Sequence, residues 1–306
     1  MEPAEMSGLC EGRVAIVTGA GRGLGRAHAL ELGRAGAQVV VNDLGVELDG
    51  SGGGAAAAEE VAAEIRAQGG SAVVDGHDIA TWDGAQRLIE TAHDTFGGLD
   101  VLVNNAGVLR DCMVVSMVAA DSEAVIDVHL KGTIFTSHHA AASWRDRAKS
   151  GQPVDVRLIN TTSGAGLYGN IGQGAYSAAK AGIVGFTLVA AAELARYGVT
   201  ANSLSPGART RMTEQVFAEA MAVPDGGFDA MAAENVSPIV AWIASAESAG
   251  ITGRVFDVYG GTVGLAEGWS HGPEFKEDRR LEPAEVGVII RDLLTRSAEP
   301  EPVQGT

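Results

Sequence analysis

Three side chains have the types and spacing to move a proton on and off an alcohol. Tyr176 and Lys180, in AYSAAK, stand four residues apart on a predicted helix, so both project from one face. A tyrosine with an ordinary pKa of about 10 is a poor base near neutrality, yet a cation one turn away favours its phenolate. Ser163, in INTTSGAG, lies thirteen residues before Tyr176, and its hydroxyl can hold an alcohol or carbonyl oxygen while Tyr176 moves the proton. An isolated Tyr-x-x-x-Lys pair is more often an ordinary helix surface pair, so the surroundings decide.

A second set of residues suits a dinucleotide. RVAIVTGAGRGLGRAHAL puts Gly19, Gly21, Arg22, Gly23, Leu24 and Gly25 between a predicted buried strand and a helix. Glycines let the backbone turn tightly and approach a pyrophosphate, whose charge is held by free amides and the positive end of the helix. The next strand ends VVVNDLG, so Asp43 follows the loop by about 20 residues, where a carboxylate accepts both ribose hydroxyls of an adenosine. Its charge repels a 2′-phosphate, so NAD is expected over NADP, although Arg22 offers a counter-contact. In HDI at 77–79, Asp78 is expected to bond the adenine amine and Ile79 to pack on the ring. NNAG at 104–107 ends a further strand, and Asn104, Asn105, Ala106 and Gly107 are expected to line the crevice beyond the strand ends.

Positioning these residues takes a sheet. Short runs rich in valine and isoleucine alternate with alanine-rich segments of helical period, the pattern of buried parallel strands covered by helices. Strands are expected near 13–18, 38–42, 71–75, 100–103, 155–160, 199–204 and 255–258, and helices near 23–35, 56–68, 82–96, 118–149, 174–196 and 236–245. The fold class is therefore α/β: a Rossmann-type doubly wound parallel sheet of seven strands with helices on both faces, over residues 1–263, of which 1–11 form a flexible N-terminus. From about Gly264 the strand pattern stops. Residues 264–306 read as a C-terminal extension with one amphipathic helix near 283–297, packed on the body or on a neighbouring subunit.

Composition narrows the partners. The chain has 306 residues, 46% hydrophobic and 20% charged, as in a packed globular protein. A formal net charge of −17 without any basic run argues against nucleic acid and anionic membrane surfaces. Cys10 and Cys112 are the only cysteines and have no disulfide-framework, metal or redox spacing. His138 and His139 are adjacent, so on a helix they diverge by about 100°, and no metal site is expected. The acidic opening lacks the features of a signal peptide and no run reaches about 18 uninterrupted apolar residues, so a cytoplasmic protein without membrane insertion is expected.

With TGAGRGLG at 18–25, NNAG at 104–107, Ser163, Tyr176, Lys180 and SPGARTRMT at 205–213, the sequence resembles the short-chain dehydrogenase/reductase family over about residues 12–263. The resemblance implies a nicotinamide-dependent alcohol or ketone oxidoreductase with Ser163, Tyr176 and Lys180 catalytic. It also implies that Lys180 bonds the nicotinamide ribose, that Pro206 and Gly207 border the cofactor, that Thr210 helps place the carboxamide, and that the protein is a homodimer or homotetramer. His129, in VIDVHLKG, stands where most of the family has an asparagine that bends its helix and helps link the lysine to solvent. A neutral imidazole donates and accepts one hydrogen bond each, so a proton relay need not be lost.

A narrower resemblance is carried by VVVNDLG with its glycine-rich insertion, AGVLRD, DVHLKG and RTRMT. These are similar to the (3R)-hydroxyacyl-CoA dehydrogenase unit of the peroxisomal type 2 multifunctional enzymes, where histidine is common at that position, and to single-domain actinobacterial relatives. This implies NAD-dependent oxidation of a secondary alcohol on a bulky hydrophobic substrate, a (3R)-hydroxyacyl-CoA or a steroid or steroid-CoA. One alternative is a 3-oxoacyl reductase using NADPH, which Asp43 disfavours. Another is a non-catalytic nucleotide-binding scaffold, which the intact Ser163, Tyr176 and Lys180 disfavour. Residues 207–236 form either an apolar lid over the substrate or a short helix packed on the core. Arg110, Arg209 and Arg211 are candidates for a CoA phosphate, against which the chain's negative charge weighs.

Overall fold

The strand-forming runs are dominated by valine, isoleucine and leucine, which suit an extended chain buried on both sides. A computed structural model describes residues 8–46, 52–209 and 226–305. Within them β1 (Val14–Thr18), β2 (Gln38–Asn42), β3 (Ser71–Asp75), β4 (Val101–Asn104), β5 (Val156–Thr161), β6 (Val199–Gly207) and β7 (Val255–Tyr259) lie parallel in the order β3-β2-β1-β4-β5-β6-β7. The order reverses between β1 and β4, which opens a crevice at the carboxyl ends of the strands. Around the sheet run α1 (Gly23–Arg34), α2 (Ala56–Ala67), α3 (Trp82–Phe96), α4 (Ala119–Ile126), α5 (Gly132–Lys149), α6 (Gly164–Tyr168), α7 (Gly174–Leu194) and α8 (Ser237–Ala244).

Successive strand residues point to opposite faces, so the sheet carries two apolar layers. Val17, Val39 and Phe256 meet Leu32, Ile65 and Val240 on one side, while Ile16, Val40 and Leu158 meet Leu88 and Trp144 on the other. Each such side chain contributes roughly 1.5–3 kcal/mol on burial. Within the second layer, on the face that α5 and α7 cover, runs a polar column. Asn104 Nδ2 donates to Asn160 Oδ1 at 2.9 Å, Asn160 Nδ2 donates to Thr187 Oγ1 at 2.9 Å, and Thr187 meets Ser203 at 2.9 Å. Thr136 of α5 donates to Asn104 Oδ1 at 2.7 Å. Each member has a partner, so the column fixes α5 and α7 against β4, β5 and β6 instead of weakening the core. Asn104 is buried in this column, not at the crevice where the sequence placed it.

The sheet has eight strands, not seven. β8 (Thr262–Ala266) returns antiparallel along β7, with Tyr259 opposite Thr262, so the turn is Gly260-Gly261. Gly260 has φ +53, the positive φ that the favoured two-residue hairpins require at their first turn residue. The strand is hard to read because it is an edge: Val263 and Leu265 are exposed, and no buried run marks it. The helix expected over 118–149 is also broken. α4 stops at Ile126, Asp127–Lys131 forms a π-turn carrying His129, and α5 resumes at Gly132. Such single-turn π segments tend to occur at functional sites, because the extra residue re-aims a side chain.

The C-terminal helix α9 (Pro283–Arg296) lies where its periodicity predicts, started by Pro283 and by a capping box between Glu282 and Glu285. None of its residues is buried. Beyond it the chain returns to the body, where Gln304 pairs with Asn170. By length and composition alone, α7 with the turn to Tyr197 is apolar enough to cross a membrane. Here it carries Tyr176 and Lys180 and packs along β6, with Lys180, Ile183 and Thr187 buried.

Candidate active site

α7 brings Tyr176 and Lys180 to the crevice, and the chain leaving β5 brings Ser163. Lys180 Nζ donates to the Thr161 carbonyl at 2.7 Å, and Thr162 Oγ1 donates to the Lys180 carbonyl at 2.8 Å, so β5 and α7 are clasped at this point. Ser163 caps α6, its Oγ accepting the Ala165 N–H at 3.2 Å, and it hydrogen-bonds the Tyr176 hydroxyl. Lys180 Nζ lies 5.6 Å from the centre of the Tyr176 ring. All three side chains line one cleft of about 560 Å³, a size common for cofactor and ligand sites.

The charge balance differs from the sequence expectation. Burial holds the Tyr176 hydroxyl above its ordinary pKa, the hydrogen bond with Ser163 opposes this, and the Asp111 carboxylate adds to it. Burial also pulls Lys180 from 10.5 down to about 7. The expected stabilisation of a phenolate by Lys180 is therefore outweighed in the chain alone, because the same desolvation that raises the tyrosine weakens the lysine's hold on its proton.

His129 is 2% exposed and stacks edge-on to Tyr176, ring centres 5.1 Å apart. Burial and the neighbouring Lys180 push its pKa well below the ordinary value, so the ring is neutral. Nε2 lies 2.7 Å from the Val108 carbonyl and 3.1 Å from the Val108 N–H. The shorter contact favours the tautomer that donates from Nε2, which leaves Nδ1 as an acceptor, buried and without a partner among the described residues. Gly107 makes room for the ring: a Cβ there would fall 2.2 Å from His129 Cε1.

The far end of the cleft is built from backbone. α1 begins with no side-chain cap and no acidic side chain in its first turn, so nothing competes with an anion for its first amides. Gly19, Arg22, Gly23, Leu24 and Gly25 line the cleft there. Gly19 has φ +62, and a Cβ on it would lie 2.7 Å from Ala106 Cα. Asn105 Nδ2 donates to the Thr18 carbonyl at 2.9 Å, tying the fourth strand's turn to the loop. Gly21 does not face the cleft. Its N–H donates to Asp43 Oδ2 at 2.8 Å, while Gly45 N–H donates to Oδ1 at 2.7 Å, so two amides fix the carboxylate and each oxygen keeps a free lone pair.

Asp78, Ile79, Asn105, Ala106, Gly107, Pro206 and Gly207 complete this end. Asp78 Oδ1 is turned onto the Ala80 N–H at 2.9 Å. A glycine cradle at an uncapped helix start, with a carboxylate held against it by the Gly21 amide, fits a nicotinamide dinucleotide. Thr210 and Arg211, with most of the expected lid over 207–236, lie outside the described residues. Of the arginines considered for a CoA phosphate, Arg110 lies 3.6 Å from Asp121 and Arg209 is paired with Asp229. His138 and His139 pack around the Trp82 ring.

Four residues of the opposite wall were not singled out by the sequence. Gln173, 7% exposed, donates from Nε2 to the Asp111 carboxylate at 3.0 Å and accepts from Asn170 Nδ2 at 2.9 Å. Gln304 lines the same cleft from the C-terminal tail. Gln173 precedes Tyr176 by less than a helical turn, a usable hint. Gln304 is one polar residue in a polar tail, and no local pattern marks it.

Residues 13–220 match the family described as short chain dehydrogenase. The chain is 44% identical to the hydroxyacyl-CoA dehydrogenase ChsB1 of Mycobacterium tuberculosis over 284 residues, 92% of this chain and 88% of that protein. It is 42% identical to a 3-oxoacyl-[acyl-carrier-protein] reductase of Synechocystis over 255 residues, 82% of this chain and 97% of that protein. The crystal structure of a short chain dehydrogenase from Mycobacterium avium is 57% identical and superposes with a TM-score of 0.88, covering 98% of this chain and 100% of the other.

Proposed function

Since the chain belongs to the short chain dehydrogenase family, we propose that it oxidises the 3-hydroxyl of a (3R)-hydroxyacyl-CoA with NAD. The observation that carries this reading is one cleft with two unlike ends. Ser163, Tyr176 and Lys180 meet at one end, and Asp43 is held by two amides at the other. A fixed carboxylate accepts ribose hydroxyls and repels a phosphate at the same position, which favours NAD over NADP. The residues that would hold the cofactor are Gly19 and those from Arg22 to Gly25, with Asp43, Asp78, Ile79, Asn105 to Gly107, Pro206, Gly207 and Lys180. The bound nicotinamide would supply the hydride acceptor.

The chain's own residues handle the proton. Ser163 holds the substrate oxygen, and Tyr176, a protonated phenol in the buried site, takes the hydroxyl proton as it gives its own phenolic proton onward to Lys180, while the carbinol carbon becomes a carbonyl. Lys180, with a pKa near neutrality, can pass a proton on without a large energetic step. The unpartnered Nδ1 of His129, a ring whose pKa the Lys180 charge lowers, is the next acceptor in this reading.

The reductase relative keeps a second reading in view, namely 3-oxoacyl reduction with NADPH at the same residues. One experiment separates the two: kcat/KM with NAD and NADP against (3R)-hydroxyacyl-CoA chain lengths, steroid-CoA esters and free hydroxysteroids, and with NADPH against 3-oxoacyl thioesters. The proposed function requires NAD-dependent oxidation of a hydroxyacyl-CoA to dominate. A strong NADPH preference would overturn it in favour of the reductase.

A further inference from the structure

After α9 the chain returns against the hydroxyl-handling wall of the cleft. Gln304 donates its N–H to the Gly169 carbonyl at 3.1 Å and accepts the Ile171 N–H on its own carbonyl at 3.0 Å. This is a single strand-like rung on the loop between α6 and α7. Val303 lies over Gly169, where a Cβ would be 3.5 Å from Val303 Cγ1. Gly305, at φ +85, lets the chain turn against Asn170 and Ile171. The rung thus sets the direction of the one side chain between them.

That side chain reaches beside the proposed catalytic serine. Gln304 Nε2 would stand 2.7 Å from a Cβ on Gly164, the residue that follows Ser163, and Gln304 lines the same cleft as Ser163 and Tyr176. No described residue hydrogen-bonds its carboxamide. On the same loop, Asn170 Nδ2 is already engaged by Gln173, whose own amide is engaged by Asp111. Both N–H groups of the Gln304 carboxamide are therefore open to a ligand, whereas Asn170 and Gln173 each commit an N–H within the wall.

A 3-hydroxyacyl thioester carries two oxygens, one on the carbinol carbon and one on a carbonyl carbon two bonds away. Ser163 and Gln304 line one cleft, with the Gln304 amide against Gly164, the residue after Ser163, so this wall presents a hydroxyl and an amide donor. We propose that Gln304 is a specificity residue whose Nε2 donates to the thioester carbonyl, so that the C-terminal tail selects alcohols bearing that carbonyl. This rests on the hydroxyacyl thioester reading of the same site. An alcohol without the second oxygen, such as an isolated ring hydroxyl, has nothing to offer this amide.

The test compares wild type with Gln304→Ala and Gln304→Glu, the latter keeping the size while losing the donor. Three readouts are needed: kcat/KM for a 3-hydroxyacyl-CoA, kcat/KM for a secondary alcohol of matched length without the carbonyl, and the Kd for NADH by fluorescence, which certifies folding. Both variants are expected to lower the thioester-to-alcohol ratio about tenfold, the scale of one lost hydrogen bond, chiefly through the thioester KM because the carbonyl is present in ground and transition states alike. NADH affinity stays at the wild-type value. A ratio unchanged in both variants overturns the proposal, and so does a Gln304→Glu that discriminates like wild type. A wild type that oxidises the plain alcohol but no hydroxyacyl-CoA instead removes the substrate reading, and the proposal with it.

Discussion

At the dinucleotide end of the cleft, the groups that would hold a ligand are mostly backbone amides between Gly19 and Gly25, plus one carboxylate itself held by amides. At the hydroxyl end they are side chains, drawn from residues as far apart as His129, Ser163, Tyr176, Lys180 and Gln304. A backbone site tolerates many side-chain changes but needs particular conformations, as Gly19 shows at φ +62. A side-chain site tolerates backbone variety but fails when one functional group is lost. The two meet where Gly107, at the end of β4, abuts the His129 ring.

The most severe test of that division is Tyr176→Phe. Removing the hydroxyl is expected to lower kcat by about 10³-fold, within the range for a lost proton-transfer group, with NADH Kd within twofold of wild type. Substantial residual turnover would show that the hydroxyl end does not depend on this side chain. Asp43→Ala probes the other end. It should reduce the NAD-over-NADP ratio of kcat/KM by roughly 10–100-fold, as expected for a charge-assisted contact, while leaving the KM of the alcohol near its wild-type value. A cofactor ratio unmoved by this change would count against Asp43 as the ribose-reading group. His129→Ala, at the junction, should lower kcat about tenfold, less than the loss expected for a group that itself exchanges a proton with the substrate, with NADH binding nearly intact. Equal losses in kcat and NADH affinity would mean that the ring props up both ends through Gly107; an unchanged kcat would mean that it only packs.

Much of the scaffold was readable in advance because its causes are local. Strand runs such as VAIVT and QVVVN are buried on both faces and appear as unbroken apolar stretches. β8 was not visible, since an exposed edge needs no such stretch, although Gly260-Gly261 marked the hairpin. The π-turn at Asp127–Lys131 left no mark in the periodicity of 118–149, because one extra residue shifts a helical pattern without erasing it. Asn104 and Asn105 are neighbours of one type, yet one joins the buried column and the other clasps the glycine loop. Their alternation across a strand end decides this, and it appears only once the strand is set in the sheet.

The sequence by itself determined the parallel sheet, the glycine cradle with its carboxylate, and the Ser163, Tyr176 and Lys180 set, because each rests on short spacings whose geometry is fixed by a strand, a turn or one helical face. Tertiary structure decided what those groups experience. Only packing shows that Tyr176 and Lys180 are both driven toward neutrality by burial, since desolvation depends on every neighbour and on no single spacing. Only the returning chain shows that Gln304, more than a hundred residues from Ser163, shares its cleft, since a contact made by two backbone hydrogen bonds leaves no periodic trace.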